Sequence, residues 1–390
     1  LRRFPDSPAT FFGTDLLSLS ARARVLMEPM VPANRSHEDE TVGQFARRRL
    51  GREAADLLID PVVSGIYAGD FDRLSLRSAL PQLAQLDGMG RSVLVAMVQN
   101  RNGGATDRSA SPSVVGRRRY VSFRRGLQQL TDALAGDLGG RARLDSPVAK
   151  VEPHGEGWRV LVNGPQPEEL FADVVISAAP APSCRRYLRD LHPDISEICL
   201  ATPYAPVAMV ALGFQEADVP HPLEGFGYLV PSRVSGSVLG VLWPTSIFPG
   251  HRAAPGKVLI QSVLGGARHP EVCELDDDVL VHRARVHLKK ALGVSVEPVY
   301  ARVQHHRVGI PQYEVGHAER LQRLERALTD FRGLFVTGNA FRGVGINACT
   351  TDAQGIAERA CSYLEAMSVP DKKKSRGIPN KARARTSLRL

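Results

Sequence analysis

Cysteines are few in this sequence, and neither they nor the histidines follow a disulfide or metal-binding pattern. The 390 residues include five cysteines, an odd number without C-x-x-C spacing, and eleven histidines without an H-E-x-x-H motif. The adjacent pair His305 and His306 would point to opposite faces of a strand. We therefore predict neither structural disulfides nor a metal site. The cysteines are Cys184, Cys199, Cys273, Cys349 and Cys361.

Long apolar runs are also missing. No stretch reaches the roughly 18 apolar residues that indicate a membrane-spanning helix. Hydrophobic residues make up 43% of the chain, which suffices for one large core or two smaller ones. No signal peptide is visible, although a truncated start would not show one. The composition is that of a soluble intracellular protein, and we expect a cytoplasmic one.

Positive charge is concentrated at one end of the chain. The net charge is +9, and residues 371–390 carry +7 of it as eight basic residues against one acidic residue, which leaves +2 for the other 370 residues. A nearly neutral body argues against a nucleic acid partner. We predict that residues 369–390 form a disordered, solubilising tail. Contact of this tail with anionic lipid or nucleic acid is the alternative.

The usual signatures of side-chain catalysis are absent. The sequence contains no serine or cysteine triad motif, no paired-carboxylate signature and no phosphate-binding loop. A protein without such groups can still be an enzyme when a cofactor performs the reaction and the protein supplies orientation and electrostatics.

One glycine-rich stretch is a candidate for ligand contact. Gly338–Asn347 follows the apolar run 334–337 and precedes a helix predicted over Asp352–Met367. Glycines allow the backbone to approach a ligand closely, and helix N-terminal N–H groups favour negative charge. Gly343–Ala348 fits G-x-G-x-x-A, but a dinucleotide fingerprint opens a βαβ unit, and only 45 residues follow Gly345. The plain alternative is a glycine turn before a surface helix.

Four ordered segments resemble the oxygen-type protoporphyrinogen oxidases of the flavin amine oxidase superfamily. The glycine-rich stretch resembles the carboxy-terminal flavin-contacting motif of that family, and the resemblance extends over residues 1–367. The other three segments are Ser64–Asp70 with Leu74 and Ser75, the substrate-cavity segment Gly225–Pro231, and Gly309–Tyr313 with Gly316 and His317.

The family's amino-terminal G-x-G-x-x-G segment has no counterpart in residues 1–100, where Gly88-Met89-Gly90 is the nearest match. Leu1 is not a start residue. We expect a fragment without roughly the first 90 family residues, or a sequence with a wrongly assigned start.

The resemblance implies FAD as cofactor and assigns residues to it. Gly338, Asn339, Val344, Gly345 and Ile346 would belong to the flavin site, the last three against the isoalloxazine ring, and Val148 would lie near the adenosine. His306 would stand where relatives often have a flavin-contacting tryptophan, and Ala348 replaces a usual aspartate. No catalytic side chain is assigned, because the flavin would perform the chemistry.

The resemblance also implies a tetrapyrrole cavity. Phe226, Gly227 and Leu229 match positions that sandwich the rings, and Val263 matches an apolar wall position. An apolar slot with cationic groups at its mouth suits a substrate with two propionates. Without the family context, Phe226 and Leu229 could equally be core residues, and Val148 an ordinary strand valine.

The predicted fold class is α/β. It would comprise a doubly wound FAD-binding domain without its first βα unit, a mixed-sheet substrate domain and a helical, membrane-associating region. Helices are predicted at Leu16–Met30, Thr41–Leu58, Leu76–Leu86, Arg91–Asn100, Leu127–Leu138 and Asp277–Leu292, and strands at Val148–Val151, Trp158–Val162 and Val174–Ile176. The predicted divisions are a helical region 1–125, FAD-binding segments 126–180 and 311–368, a substrate domain 181–310 and the tail.

The predicted activity is oxidation of protoporphyrinogen IX to protoporphyrin IX with O2 as acceptor. A homodimer and peripheral attachment to the inner face of the cell membrane are further expectations that the resemblance carries. Two alternatives stay open: another enzyme of the superfamily, such as an amine oxidase or polyene desaturase, and a non-catalytic fragment that binds a tetrapyrrole without flavin.

Overall fold

The computed structural model describes residues 1–5, 8–34, 36, 38–92, 95, 121–234 and 236–368. The helix predicted over Arg91–Asn100 lies almost entirely outside these residues, and the predicted tail 369–390 lies outside them altogether.

The first part of the chain is helical, as predicted, but its helices are shorter than the sequence periods indicate. Gly51, with φ +87°, ends the helix that begins after Thr41. Thr41 and Gln44 form a reciprocal capping box at its start, a device that satisfies two otherwise unpaired backbone N–H groups. The predicted single helix Thr41–Leu58 is therefore wrong. The helices are α1 Pro8–Gly13, α2 Leu19–Leu26, α3 Val42–Leu50, α4 Arg52–Ala54, α5 Asp60–Tyr67, α6 Leu76–Ala79 and α7 Pro81–Gly88, with a π-helical turn at Ala55–Ile59.

A small antiparallel sheet follows helix α8, Gln128–Leu138. It has the order β1 Val148–His154, β2 Gly157–Val162 and β3 Glu168–Ala172. The first two strands confirm the prediction from period-two alternation. Strand β3 was not predicted, because its sequence EELFA begins with two glutamates that are unusual in strands.

Two short strands pair in parallel. Strand β4, Val175–Ser177, lies beside β10, Leu334–Val336. The continuous apolar run of β4 predicted a buried strand, but Ile176 is 46% exposed, since a two-stranded ribbon covers little of either face. Strand β10 leads through residues 337–345 into α14, Ile346–Ser368.

The largest sheet has five strands in the order β6-β7-β8-β5-β9. All of its strand pairs are antiparallel, whereas the sequence predicted a mixed sheet. One face packs on α12, Asp277–Leu292, whose predicted bounds are confirmed. Ala208, Val210, Leu212 and Phe214 alternate onto that face and are fully buried. The strands are β5 Tyr204–Gln215, β6 Gly227–Leu229, β7 Val238–Leu242, β8 Lys257–Gly265 and β9 Tyr300–Pro311.

A second apolar core joins the small sheet to the segment that carries the glycine-rich stretch. Trp158 of β2, Leu334 of β10 and Phe341 are buried in it together. The helices that close this core are α9 Ala181–Leu188, α10 Pro193–Leu200 and α13 His317–Leu328, and the short α11 spans Pro244–Ile247. None of the helices in the described part of the chain combines the length and the apolar character that crossing a bilayer demands.

Candidate functional site

The glycine-rich stretch forms a turn whose backbone is largely specified by glycine. Gly338 has φ +114° and Gly343 has φ +89°, values that L side chains rarely adopt. A Cβ on Gly338 would also lie 3.2 Å from the carbonyl oxygen of Ala178. The turn therefore takes a shape that other residues would strain. We call residues 338–345 the glycine turn.

Helix α14 begins directly after this turn. Its first residue is Ile346, six positions before the predicted start at Asp352, and no acidic residue occupies its first turn. Cys349 N donates to Gly345 O at 3.0 Å, so Gly345 is the residue that caps the helix. The preceding N–H groups have no intrahelical acceptor, and the helix dipole adds positive charge there. The early start places this positive end against the glycine turn.

Of the predicted flavin residues, Gly345 and Ile346 are open to solvent and Val344 is half-buried. A Cβ on Gly345 would meet no atom within 4 Å, and the side chain of Ile346 is 49% exposed. Val344 packs against the apolar cluster that holds Val63 and Tyr67 of α5. An exposed glycine and an exposed isoleucine at a helix start leave room for a flat ligand.

Two side chains that the sequence showed only as part of a motif hold the turn in place. The hydroxyl of Tyr313 donates to Asn339 O at 2.6 Å and accepts from Gly343 N at 2.7 Å. His317 stacks on the Tyr313 ring at 4.1 Å between centroids, and its Nε2 donates to Phe341 O at 3.2 Å. Sequence reasoning assigned neither residue a role, and the motif Gly309–Tyr313 with Gly316 and His317 was the available signal.

Burial, with a smaller contribution from the nearby Arg320, outweighs the opposing effects of Phe341 O and Asp39 and lowers the pKa of His317 to about 4. In an unfolded chain the imidazole titrates near 6.5. Between these values the unfolded state binds a proton that the folded state does not. His317 is therefore neutral at neutral pH, and acid favours unfolding around it.

We expect the free energy of unfolding to fall as the pH drops from about 6.5 towards 4, by about 2–3 kcal/mol from His317 alone. His317→Phe keeps the ring stack but removes the titration, so its denaturant midpoint should fall less steeply over this range. His282→Phe, at an exposed position of α12, should keep the steep profile. Parallel profiles for the chain and its His317→Phe variant would contradict the assignment.

The predicted cavity residues share one face of the five-stranded sheet. Leu229 pairs with Gly240, and Gly240 with Val263. His306 pairs with Val207 of β5. The β5 residue that pairs with Val263 lies two positions after Val207. Since directly paired residues point to the same face and residues two apart do likewise, Leu229, Val263 and His306 lie on the face opposite α12. We call it the open face.

Helix α5 lies over the β6 end of the open face. A Cβ on Gly65 would sit 2.6 Å from Leu229 Cδ2, so glycine permits this close approach. Arg268 fixes the helix to the sheet domain by donating to the buried Asp60 and to Asp70, each at 2.7 Å. Val344 packs against the apolar cluster that includes Val63 and Tyr67 of α5, so the same helix borders the cavity wall and belongs to the core beside the glycine turn.

The positions of three other predicted residues do not by themselves indicate a ligand contact. Phe226 is 50% exposed just before β6. His306 is exposed on the edge strand β9. Val148 is half-buried in β1 and packs against the same core as Phe341. Their contacts with substrate or cofactor stay predictions.

Comparison with known proteins identifies the family of this chain. Residues 1–361 match the family described as flavin containing amine oxidoreductase. The chain is 32% identical to the coproporphyrinogen III oxidase of Bacillus subtilis strain 168 over 363 residues, 92% of this chain and 75% of that protein. It is 28% identical to the mitochondrial protoporphyrinogen oxidase of Nicotiana tabacum over 394 residues, 95% of this chain and 78% of that protein.

A solved structure gives the same result for the fold. A provisionally named protoporphyrinogen oxidase from Exiguobacterium sp. 255-15 superposes with a TM-score of 0.75 at 26% identity, covering 93% of this chain and 76% of that one. Since the family match spans nearly the whole chain, the protein belongs to the flavin-containing amine oxidoreductases and is an FAD-dependent oxidoreductase.

Proposed function

We propose that this chain oxidises protoporphyrinogen IX to protoporphyrin IX in porphyrin biosynthesis, with O2 as electron acceptor. The names of the relatives from Nicotiana tabacum and Exiguobacterium support the substrate. The structural observation that carries the proposal is the position of α5, which packs on Leu229 of the open face and contributes Val63 and Tyr67 to the apolar cluster against which Val344 of the glycine turn packs. A substrate on the open face would thus lie near a flavin at the turn.

The residues of the glycine turn suit a flavin. Gly345 leaves open space in the direction of its missing side chain, and Ile346 offers an exposed apolar contact at the helix start. The first turn of α14 has no carboxylate, so its positive end is available to the electron-rich edge of the ring. Gly338, Asn339, Val344, Gly345 and Ile346 are the residues that we propose to hold it.

A bound flavin supplies the redox chemistry, since its ring system accepts hydride and passes electrons to oxygen. The chain's own residues bind and orient. Leu229 and Val263 provide an apolar wall, which a large, mostly apolar tetrapyrrole requires. Phe226, half exposed at the edge of this wall, can cover a ring face. No side chain is assigned a proton transfer.

Coproporphyrinogen III is the second candidate substrate, because the Bacillus subtilis relative is named as its oxidase. It differs from protoporphyrinogen IX in carrying four propionates where the latter has two propionates and two vinyl groups. The apolar part of the open face formed by Leu229 and Val263 favours the less charged tetrapyrrole, since each additional buried carboxylate needs a cationic partner or a path to water.

Reconstitution tests the proposal. The purified chain is loaded with FAD, freed of unbound cofactor, and given each porphyrinogen in air while porphyrin fluorescence is recorded. We expect saturable turnover with protoporphyrinogen IX and a lower kcat/KM with coproporphyrinogen III. A higher kcat/KM with coproporphyrinogen III would reverse the assignment. A flavin-loaded protein that oxidises neither, or that turns over an amine instead, would contradict it.

The resemblance also predicts oxygen as acceptor, a homodimer and peripheral membrane attachment, and these stay predictions. An oxygen electrode, analytical ultracentrifugation and co-sedimentation with vesicles of anionic phospholipid measure the three separately.

A further inference from the structure

One short segment connects three parts of the molecule. Residues 312–316, here called the strap, follow the last residue of β9 and precede α13. At its start, the buried Gln312 donates from Nε2 to Tyr67 O at 2.8 Å and to Ile310 O at 2.9 Å. The strap is thereby tied to the end of α5.

The strap is then held against the helical region by backbone bonds. Ser75 N donates to Tyr313 O at 2.8 Å, and Val315 N donates to Arg73 O at 3.1 Å. An ion pair between Arg73 and Glu314 at 3.0 Å lies between these two bonds. Paired backbone bonds on both sides of Glu314 leave the Tyr313 Cα little freedom to move.

From this fixed position, the Tyr313 side chain reaches the glycine turn. Tyr313 is 2% exposed, and the neighbours of its ring are His317 on one side and Tyr67, at 6.3 Å between ring centroids, on another. The hydroxyl joins Asn339 O to Gly343 N. One hydroxyl thus satisfies a carbonyl near one end of the turn and an amide near the other.

Only a hydroxyl that both donates and accepts can serve these two groups. Phenylalanine would fill the same volume but would leave a carbonyl and an amide without a partner. A lost partner of that kind typically costs about 1–3 kcal/mol when the group is buried. In a glycine-rich loop the chain has many other conformations available, so relaxation of the turn is the easier outcome.

We propose that Tyr313 is a positioning residue for FAD: its hydroxyl fixes the glycine turn in the shape that receives the flavin and ties that shape to α5 and the open face. Tyr313 does not touch the reacting atoms. Because the turn is already ordered, FAD binding does not have to supply the free energy of ordering it, a cost that otherwise lowers affinity.

The test is Tyr313→Phe beside the matched variant Tyr204→Phe. The Tyr204 hydroxyl also bonds to the backbone, accepting from Ala181 N at 3.1 Å, but on α9 rather than on the turn. FAD affinity is measured by quenching of flavin fluorescence on the whole chain, without substrate. We expect Tyr313→Phe to raise the Kd for FAD about 10-fold and to change the visible circular dichroism of the bound flavin. Tyr204→Phe should lower the melting temperature but leave the Kd within about twofold.

Hydrogen exchange of the cofactor-free protein gives a second readout. The amides of the glycine turn should exchange faster in Tyr313→Phe, while those of β5 and α12 should not change. Equal Kd values for the chain and Tyr313→Phe would overturn the proposal, as would an equal rise in both variants or unchanged exchange in the turn. Because no substrate is used, these outcomes are independent of which porphyrinogen the enzyme oxidises.

Discussion

Gly345→Asp should weaken FAD binding at least about 100-fold, or about 2.7 kcal/mol, while the protein stays as stable as before or becomes slightly more stable. The two effects have opposite signs because one position serves two purposes. Gly345 caps α14, where aspartate is among the most favoured residues. It also lies where the positive end of the helix would face the flavin, and a carboxylate there cancels that attraction and occupies the ligand's space.

The surroundings of Gly345 indicate that this substitution leaves the fold intact. Gly345 is exposed, and a side chain at this position would meet no atom within 4 Å. Gly355 provides the control, since it is also exposed, lies in the same helix and has the same open surroundings. Gly355→Asp should keep the FAD affinity of the parent chain.

Titration of each variant with FAD, followed by flavin fluorescence and by thermal unfolding without cofactor, measures both quantities. Retained FAD affinity in Gly345→Asp would remove Gly345 from the flavin site. A stability loss equal to the affinity loss would show that the substitution damages the fold instead.

Gly227→Ala should destabilise the protein by more than about 4 kcal/mol, a large share of the roughly 5–15 kcal/mol that stabilises a typical domain. Gly227 has φ +135°, and an added Cβ would overlap the Val241 carbonyl oxygen and approach Leu242 Cα to 2.9 Å. These atoms belong to the backbone of β7, to which β6 is hydrogen-bonded. Relief of the overlap would require the ladder between β6 and β7 to open.

A variant at Gly225 distinguishes the effect of the backbone overlap from the effect of the positive φ angle. It also has positive φ, +97°, but a Cβ there would meet nothing within 4 Å. Gly225→Ala should therefore cost only about 1–2 kcal/mol, the strain of the dihedral angle itself. Urea unfolding of both variants measures the difference. Similar midpoints for the two would contradict the backbone-overlap argument.

Gly227 is also one of the predicted substrate-site residues. The family resemblance places Gly227 among the residues that sandwich the tetrapyrrole. In the structure, a glycine is needed at this position because β6 approaches β7 too closely for a side chain. Its role towards substrate stays a prediction, and its role in the strand pair accounts for the residue without a ligand.

Local signals fixed much of the secondary structure. The bounds of α12 followed from periodicity, and β1 and β2 followed from alternation of apolar residues. Where local signals compete, prediction failed. The hydrophobic periodicity continues across Gly51 and across Pro81, yet a helix ends before each of them. A residue with positive φ or without an N–H interrupts a helix even where its neighbours favour one.

The glycine turn shows where the sequence stops being sufficient. Its glycines and the order of the four motifs identified the family and the cofactor, since those features depend on residue type and position along the chain. Three features could not be predicted from the sequence: the start of α14 at Ile346, the hydrogen bonds of Tyr313 across the turn and the neutral state of His317. Each arises from contact between segments distant in sequence: burial sets a pKa, and a partner across the fold selects one backbone conformation among several that glycine permits.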